Sequence, residues 1–309
     1  MERKSKYCAC ALLIIIFLIA GAGTLISVNR LNSSPNNCNE KVIVAFIDSS
    51  WSNETKKGLE EGLWCNINEQ PNQIDDDQNG FTDDIYGWDF IDKGQIKFMS
   101  LNDLSHGDLV IKNYIDSVQK HTGNESRYEI MLLRVMNEDG VCKNSDIISA
   151  IRYAEENGAQ ICNLSISTYH DDDELRATIE ASEMLFVVAA GNESENLDGD
   201  FPSYPTKYKL KNAISVAALD ETGRLLETSN YGKNSVDVGA LGVIEDESII
   251  AEGTSFSAPK VTAMATILYS CNPNCDAIEI KKELLLNVKK KRVLKNKLIT
   301  EGLLDEDDI

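Results

Sequence analysis

Short, continuous apolar runs punctuate the chain: Val42-Ile43-Val44-Ala45-Phe46-Ile47, Ile130-Met131-Leu132-Leu133 followed by Val135, Ile161-Cys162-Asn163-Leu164, and Leu185-Phe186-Val187-Val188-Ala189-Ala190. Runs this short and this unbroken suit strands covered on both faces, the environment of a parallel sheet. Between them the spacing changes. Val110, Tyr114 and Val118 recur at every fourth position with Ile111 and Ile115 alongside, which predicts a helix. Ile147, Ile148, Ile151 and Ala154 form a second helical face, with Ser145 as the expected N-cap and Gly158 just past the end. A third helix, rich in small residues, is predicted through Val261, Ala263, Ala265 and Leu268. Strands and helices alternate, so the expected fold class is α/β, with helices on both faces of a mainly parallel central sheet in a three-layer α/β/α domain. There is no internal repeat and no change of composition after residue 40, so 41–309 reads as one domain.

The amino terminus follows a different pattern. Arg3, Lys4 and Lys6 precede an apolar run from Tyr7 to Val28, close to the ~20 residues that cross a bilayer as a helix. Residues 1–28 are therefore expected to be a cytoplasmic tip and signal-anchor, oriented by the positive-inside rule with the remainder outside. The alternative is a cleaved signal peptide, for which Ala20-Gly21-Ala22 offers a small-residue exit and after which the protein would be secreted. Residues 29–40 are polar and read as a stalk.

Composition narrows the classes. Lys+Arg is 30 against Asp+Glu 50, a formal charge of −20, which argues against nucleic acid as a partner. A hydrophobic fraction of 42% excludes a wholly disordered chain. Eight cysteines in 309 residues are too few for a disulfide scaffold. Cys162 sits in a strand pattern and is expected to be a buried free thiol. Cys271 and Cys275 flank a turn and could close a small loop, although the sequence does not assign the pairing.

Four polar residues stand where apolar periodicity stops: Asp48 after the first strand, His106 before the first helix, Asn192 after Val188-Ala189-Ala190-Gly191, and Ser255 at the start of the small-residue helix. Singly, each has an ordinary reading: a loop carboxylate, a solvated histidine, a turn asparagine, an N-cap serine. Together they stand at strand ends and helix starts that one α/β sheet can gather, and Asp…His…Ser is a known chain order for a nucleophilic triad. The absence of G-x-S-x-G around Ser255 counts against a hydrolase elbow.

At these residues the sequence resembles the subtilisin-like (subtilase) serine proteases, from about Lys41 to the carboxyl end. The resemblance is carried by Ile43–Ser49 around Asp48, Ser105-His106-Gly107, Val188–Glu193 around Asn192, and Gly253-Thr254-Ser255-Phe256-Ser257-Ala258-Pro259. It implies a subtilisin-like fold and a serine endopeptidase acting on extracellular or surface polypeptides, expected to be a monomer tethered outside the cell. The rival is a catalytically silent subtilase-fold binding module. The implied roles are Ser255 as nucleophile, His106 as general base, Asp48 as its orienting partner and Asn192 as oxyanion donor. Leu164, Ser165, Ile166, Ser167 and Glu193 would contact substrate. Three departures stand out. Asp108 replaces the family's threonine, putting a second carboxylate two residues from His106, where it would raise the histidine pKa. Thr168 stands where the family's pocket strand ends in glycines, implying a narrower or differently shaped rim. The stretch between Val28 and the first strand is shorter than the usual folding propeptide, so autoprocessing is not implied.

Asp75, Asp77, Asn79 and Gly80 fit the first half of a calcium loop, with the Phe81 carbonyl next and Asp83 or Asp84 as closing carboxylate; Tyr86 at the twelfth position excludes an EF-hand. So many carboxylates in so short a stretch repel one another without a cation. Structural Ca2+ is the one expected cofactor, and none is needed for the chemistry. Acidic residues at 171–173 and Glu193 predict a preference for cationic side chains in substrate.

Overall fold

The computed structural model describes residues 41–305 apart from 60, 101–103, 123–126 and 247–248. The expected signal-anchor and stalk lie outside the described residues. Among those residues no helix is long and apolar enough to cross a membrane.

The strands are β1 (Val42–Asp48), β2 (Trp51–Ser52), β3 (Gly87–Asp89), β4 (Gly94–Gln95), β5 (Phe98–Met99), β6 (Tyr128–Arg134), β7 (Ile161–Leu164), β8 (Leu185–Ala189), β9 (Ala213–Leu219), β10 (Val238–Leu241), β11 (Val243–Asp246), β12 (Ile249–Glu252), β13 (Lys289–Lys290) and β14 (Gly302–Leu303). The helices are α1 (Asn53–Gly58), α2 (His106–Thr122), α3 (Asn144–Glu156), α4 (Asp173–Ala181), α5 (Thr254–Cys271) and α6 (Ala277–Leu286). A ten-stranded sheet runs β13-β14-β10-β9-β8-β7-β1-β6-β3-β4. It is parallel from β14 to β3, and only the edge strands β4 and β13 are antiparallel.

β1 is central, pairing Val44 with Ile130 on one side and Ile161 on the other. Its alternation feeds both layers. Phe46 meets Tyr114 of α2 edge-on at 5.0 Å, while Ala45 and Ile47 join Ile147, Ile151 and Leu175 of α3 and α4. Helix α5 lies with α2, tied through Tyr114 Oη and Thr266 Oγ1 at 3.1 Å. The result is the expected three-layer α/β/α arrangement. Every residue of α5 except Ser255 is buried. A helix apolar all round belongs inside a domain, and its small residues let it sit close to the sheet.

Two local expectations fail. Helix α3 begins at Asn144 with Lys143 as N-cap and no side-chain cap. Ser145 lies inside the first turn, because the helix starts two residues earlier than a Ser145 cap implies, and the Asn144 side chain at its start donates to Asp172 at 3.1 Å. Cys271 and Cys275 do not close a loop: Cys271 is disulfide-bonded, whereas Cys275 is free. Their turn is held instead by Cys275 N–H on Asn272 C=O and by the Asp276–Glu279 capping box that opens α6. Cys162 is buried and free, and burial pushes its thiol well above the ordinary value. Gly158, with φ of +79°, ends α3 in the left-handed conformation that favours glycine.

Candidate active site

In a parallel sheet the carboxyl ends of the strands form a shared rim, and sites gather there. Asp48 is the last residue of β1 and is fully buried. Its Oδ1 accepts Ser49 N–H at 2.7 Å and lies 2.7 Å from His106 Nδ1. His106 opens α2 and keeps 30% of its side chain exposed. The next residue must be glycine, since a Cβ at Gly107 would stand 2.8 Å from both Ser50 O and Trp51 Nε1. Burial opposes the imidazolium, but the charge and hydrogen bond of Asp48 outweigh it and hold the His106 pKa above its ordinary 6.5.

Asp108 does not act on His106 in the expected way. Its carboxylate, 1% exposed, turns away to accept from Ser52 N–H, Ser52 Oγ, Thr55 Oγ1 and Ser105 N–H. The raised histidine value comes from Asp48. The helix start, with orphan N–H groups to satisfy, draws the Asp108 carboxylate in.

Ser255 is the second residue of α5, where backbone N–H groups have no intrahelical acceptor. Asn192 lies beside it. Its Oδ1 accepts Thr254 N–H at 2.9 Å and Thr254 Oγ1 at 3.1 Å, which leaves its NH2 group for another acceptor. Gly191, at φ +101°, makes this turn; a Cβ there would stand 2.5 Å from Asn230 Nδ2. Ser255 Oγ donates to Ser165 C=O at 3.2 Å, not to His106. In return Ser165 Oγ donates to Ser255 C=O at 2.9 Å. Pro259, four residues on, lacks the N–H that would take this carbonyl in an uninterrupted helix, so Ser165 replaces it. Asn163 Nδ2 in turn donates to Ser165 Oγ at 3.0 Å, and Thr262 Oγ1 to Asn163 Oδ1 at 2.8 Å.

A cleft of about 540 Å³ brings His106, Ser255, Ser165, Ile166 and Ser167 together. Leu164 is not on its wall; its side chain packs in the core. Glu193 stands beside the cleft, tied to Tyr169 Oη at 2.9 Å and Asn230 Nδ2 at 2.5 Å. Tyr169, Met99, Met136 and Glu138 line the cleft as well. Nothing in the sequence marks them, because they reach it from loops and the two-residue strand β5, whose course the apolar pattern does not fix. A larger groove of about 820 Å³ opens at the amino ends of β7, β8 and β9 and holds none of this chemistry.

In the acidic loop only part of the expected set converges. Carboxylate oxygens of Asp77 and Asp84 come within 4.8 Å of each other and of Glu69, which sequence reasoning missed. Donor chemistry and spacing there fit a hard cation. Asp75 accepts Asn79 and Gly80 N–H, and Asp83 accepts Asn72 and Gln73 N–H, so these two hold turns. Asn79 faces Asp77 and Asp84 with its NH2. The Phe81 ring packs on Trp88 and Tyr153.

The profile of the Subtilase family matches residues 39–301. A thermophilic serine proteinase of Bacillus sp. (strain AK1) is 29% identical over 199 residues, 62% of this chain and 48% of that protein. The subtilase-type proteinase psp3 of Schizosaccharomyces pombe is 30% identical over 186 residues, 54% of this chain and 40% of its own. The matches thus span less than half of these two relatives. Among solved structures, a lanthipeptide protease shares the fold with a TM-score of 0.65 at 18% identity, over 91% of this chain and 88% of that one.

Proposed function

The chain belongs to the subtilase family, and on that premise we propose that residues 41–309 form a serine endopeptidase using Asp48, His106 and Ser255. The observation that carries the reading is the 2.7 Å contact of His106 Nδ1 with the buried Asp48 carboxylate, in the cleft that also holds Ser255. Ser255 Oγ turns from Ser165 C=O to the imidazole and attacks the scissile carbonyl. His106 Nε2 takes its proton and later delivers it to the leaving amine. Asp48 fixes the Nδ1–H tautomer and stabilises the imidazolium. The Asn192 NH2 group and Ser255 N–H donate to the developing oxyanion, and Thr254 holds the amide in that orientation.

The silent-module alternative has one observation in its favour, the Ser255 hydroxyl bonded to Ser165 rather than His106; contacts of this kind commonly tighten only with substrate bound. Fluorophosphonate labelling decides between them. The native protein is expected to be labelled at Ser255 and to cleave a peptide library. Ser255→Ala and His106→Ala should do neither while keeping the native circular dichroism. Labelling and cleavage by Ser255→Ala would overturn the mechanism.

Three further readings go with it. The substrate class is extracellular or surface polypeptide, with Glu193 favouring a cationic side chain; equal cleavage after Leu and Arg in the same library, without salt dependence, removes that preference. Calcium is held by Asp77 and Asp84 with Glu69, where it would relieve repulsion among the loop carboxylates. The apolar run from Tyr7 to Val28 tethers the domain outside the cell. Added protease should then digest residues 41–309 on intact cells, and full protection there would reject the topology.

A further inference from the structure

Asp108 is a buried carboxylate with no cation among its hydrogen-bond partners. Burying an ionised group is costly unless donors surround it, and here they do. The donors come from two separate stretches of chain. Oδ1 accepts Ser52 N–H at 2.8 Å, Ser52 Oγ at 3.1 Å and Thr55 Oγ1 at 2.5 Å, all just beyond β1. Oδ2 accepts Ser105 N–H at 2.9 Å, while Asp108 N–H donates to Ser105 Oγ at 3.1 Å, a reciprocal cap on α2. Ser105 Oγ also lies 2.5 Å from Ser50 C=O, and Gly107 N–H donates to Ser49 Oγ at 3.0 Å. The segment that follows Asp48 and the helix start that carries His106 are thus laced together, and Asp108, like Asp48, takes donors from both.

We infer that Asp108 is a positioning residue: it fixes the start of α2 against the segment after β1 and so sets the reach of His106 from Asp48 and Ser255. It touches neither substrate nor the reacting atoms. The inference rests on the proposed Asp48–His106–Ser255 mechanism. Proton transfer tolerates little misplacement, and an error of about 1 Å costs up to about 10²-fold. Asparagine is the sharpest probe because it keeps the shape and loses one acceptor. Its oxygen can serve either the Ser52 and Thr55 donors or Ser105 N–H, and its NH2 then opposes the other set.

The test compares wild type with Asp108→Asn and Thr55→Val. The readouts are fluorophosphonate labelling rate, kcat and KM on one library-derived peptide, and the far-downfield proton signal of His106 Nδ1–H. Labelling and kcat are expected to fall about tenfold in Asp108→Asn, with KM within twofold and the Nδ1–H signal shifted or broadened. Thr55→Val, which leaves the carboxylate in place, should show the same pattern more weakly, and it carries the test if Asp108→Asn does not fold. Folded variants with unchanged kcat and an unchanged Nδ1–H signal would overturn the inference, as would a loss of activity that only tracks the folded fraction. Failure of wild type itself to label at Ser255 would instead refute the proposed mechanism.

Discussion

Replacing Ser165 by alanine tests how the nucleophile is held. Two groups lose their partner at once: Ser255 C=O, which accepts Ser165 Oγ at 2.9 Å, and the buried Asn163 Nδ2, which donates to it at 3.0 Å. An unsatisfied buried polar group costs about 1–3 kcal/mol, and partial solvent access at Ser255 reduces its share, so the pair amounts to about 2 kcal/mol. For a domain of this size that corresponds to a fall in Tm of about 4–8 °C. The orphan carbonyl exists only because Pro259 has no N–H, so a double-mutant cycle isolates the cause. In the Ser165→Ala background, Pro259→Ala supplies an N–H to Ser255 C=O. Pro259→Ala should therefore be more favourable there than in wild type by about 1 kcal/mol. Urea unfolding of the four proteins measures this directly. Additivity within about 0.5 kcal/mol, or a Ser165→Ala protein as stable as wild type, would refute the argument.

The remaining predictions concern pH and metal. Cleavage needs neutral His106, whose pKa is raised by Asp48, so the acid limb of kcat/KM is expected above the ordinary 6.5; Asp48→Asn should move the limb down as well as lowering the rate. Stability runs the other way: the protonated pair contributes fully below the unfolded-state value and loses that contribution as pH rises through the raised folded value, so the urea-measured cost of His106→Ala should shrink with rising pH. A limb at or below 6.5 in wild type would contradict both statements. Calcium should raise the Tm of the native protein and a chelator should reverse the rise, with Asp77→Ala insensitive to both; a native protein indifferent to calcium would reject the site.

Much of this molecule is written in local pattern. Continuous apolar runs of strand length gave β1, β6, β7 and β8, because a strand buried on both faces admits no polar alternation. Fourfold spacing gave α2 and α3, and the positions of Asp48, His106, Asn192 and Ser255 at the ends of those patterns placed all four near one sheet rim, since sites in parallel sheets form at strand ends. What the pattern could not decide was where side chains turn once elements pack. Asp108 lies two residues from His106 in sequence, yet its carboxylate faces Ser52 and Thr55, because a buried charge goes where donors are. Ser165 was legible as a wall of the cleft, but its bond to the Ser255 carbonyl depends on β7 and α5 meeting in space. Glu69 joins Asp77 and Asp84 from outside the motif because the loop folds back on itself, whereas Asp75 and Asp83, inside it, are taken up by backbone N–H groups of its own turns. Periodicity records which face of an element is buried; the partner that each polar atom finds there is settled only by tertiary structure, since it comes from residues far away in the chain.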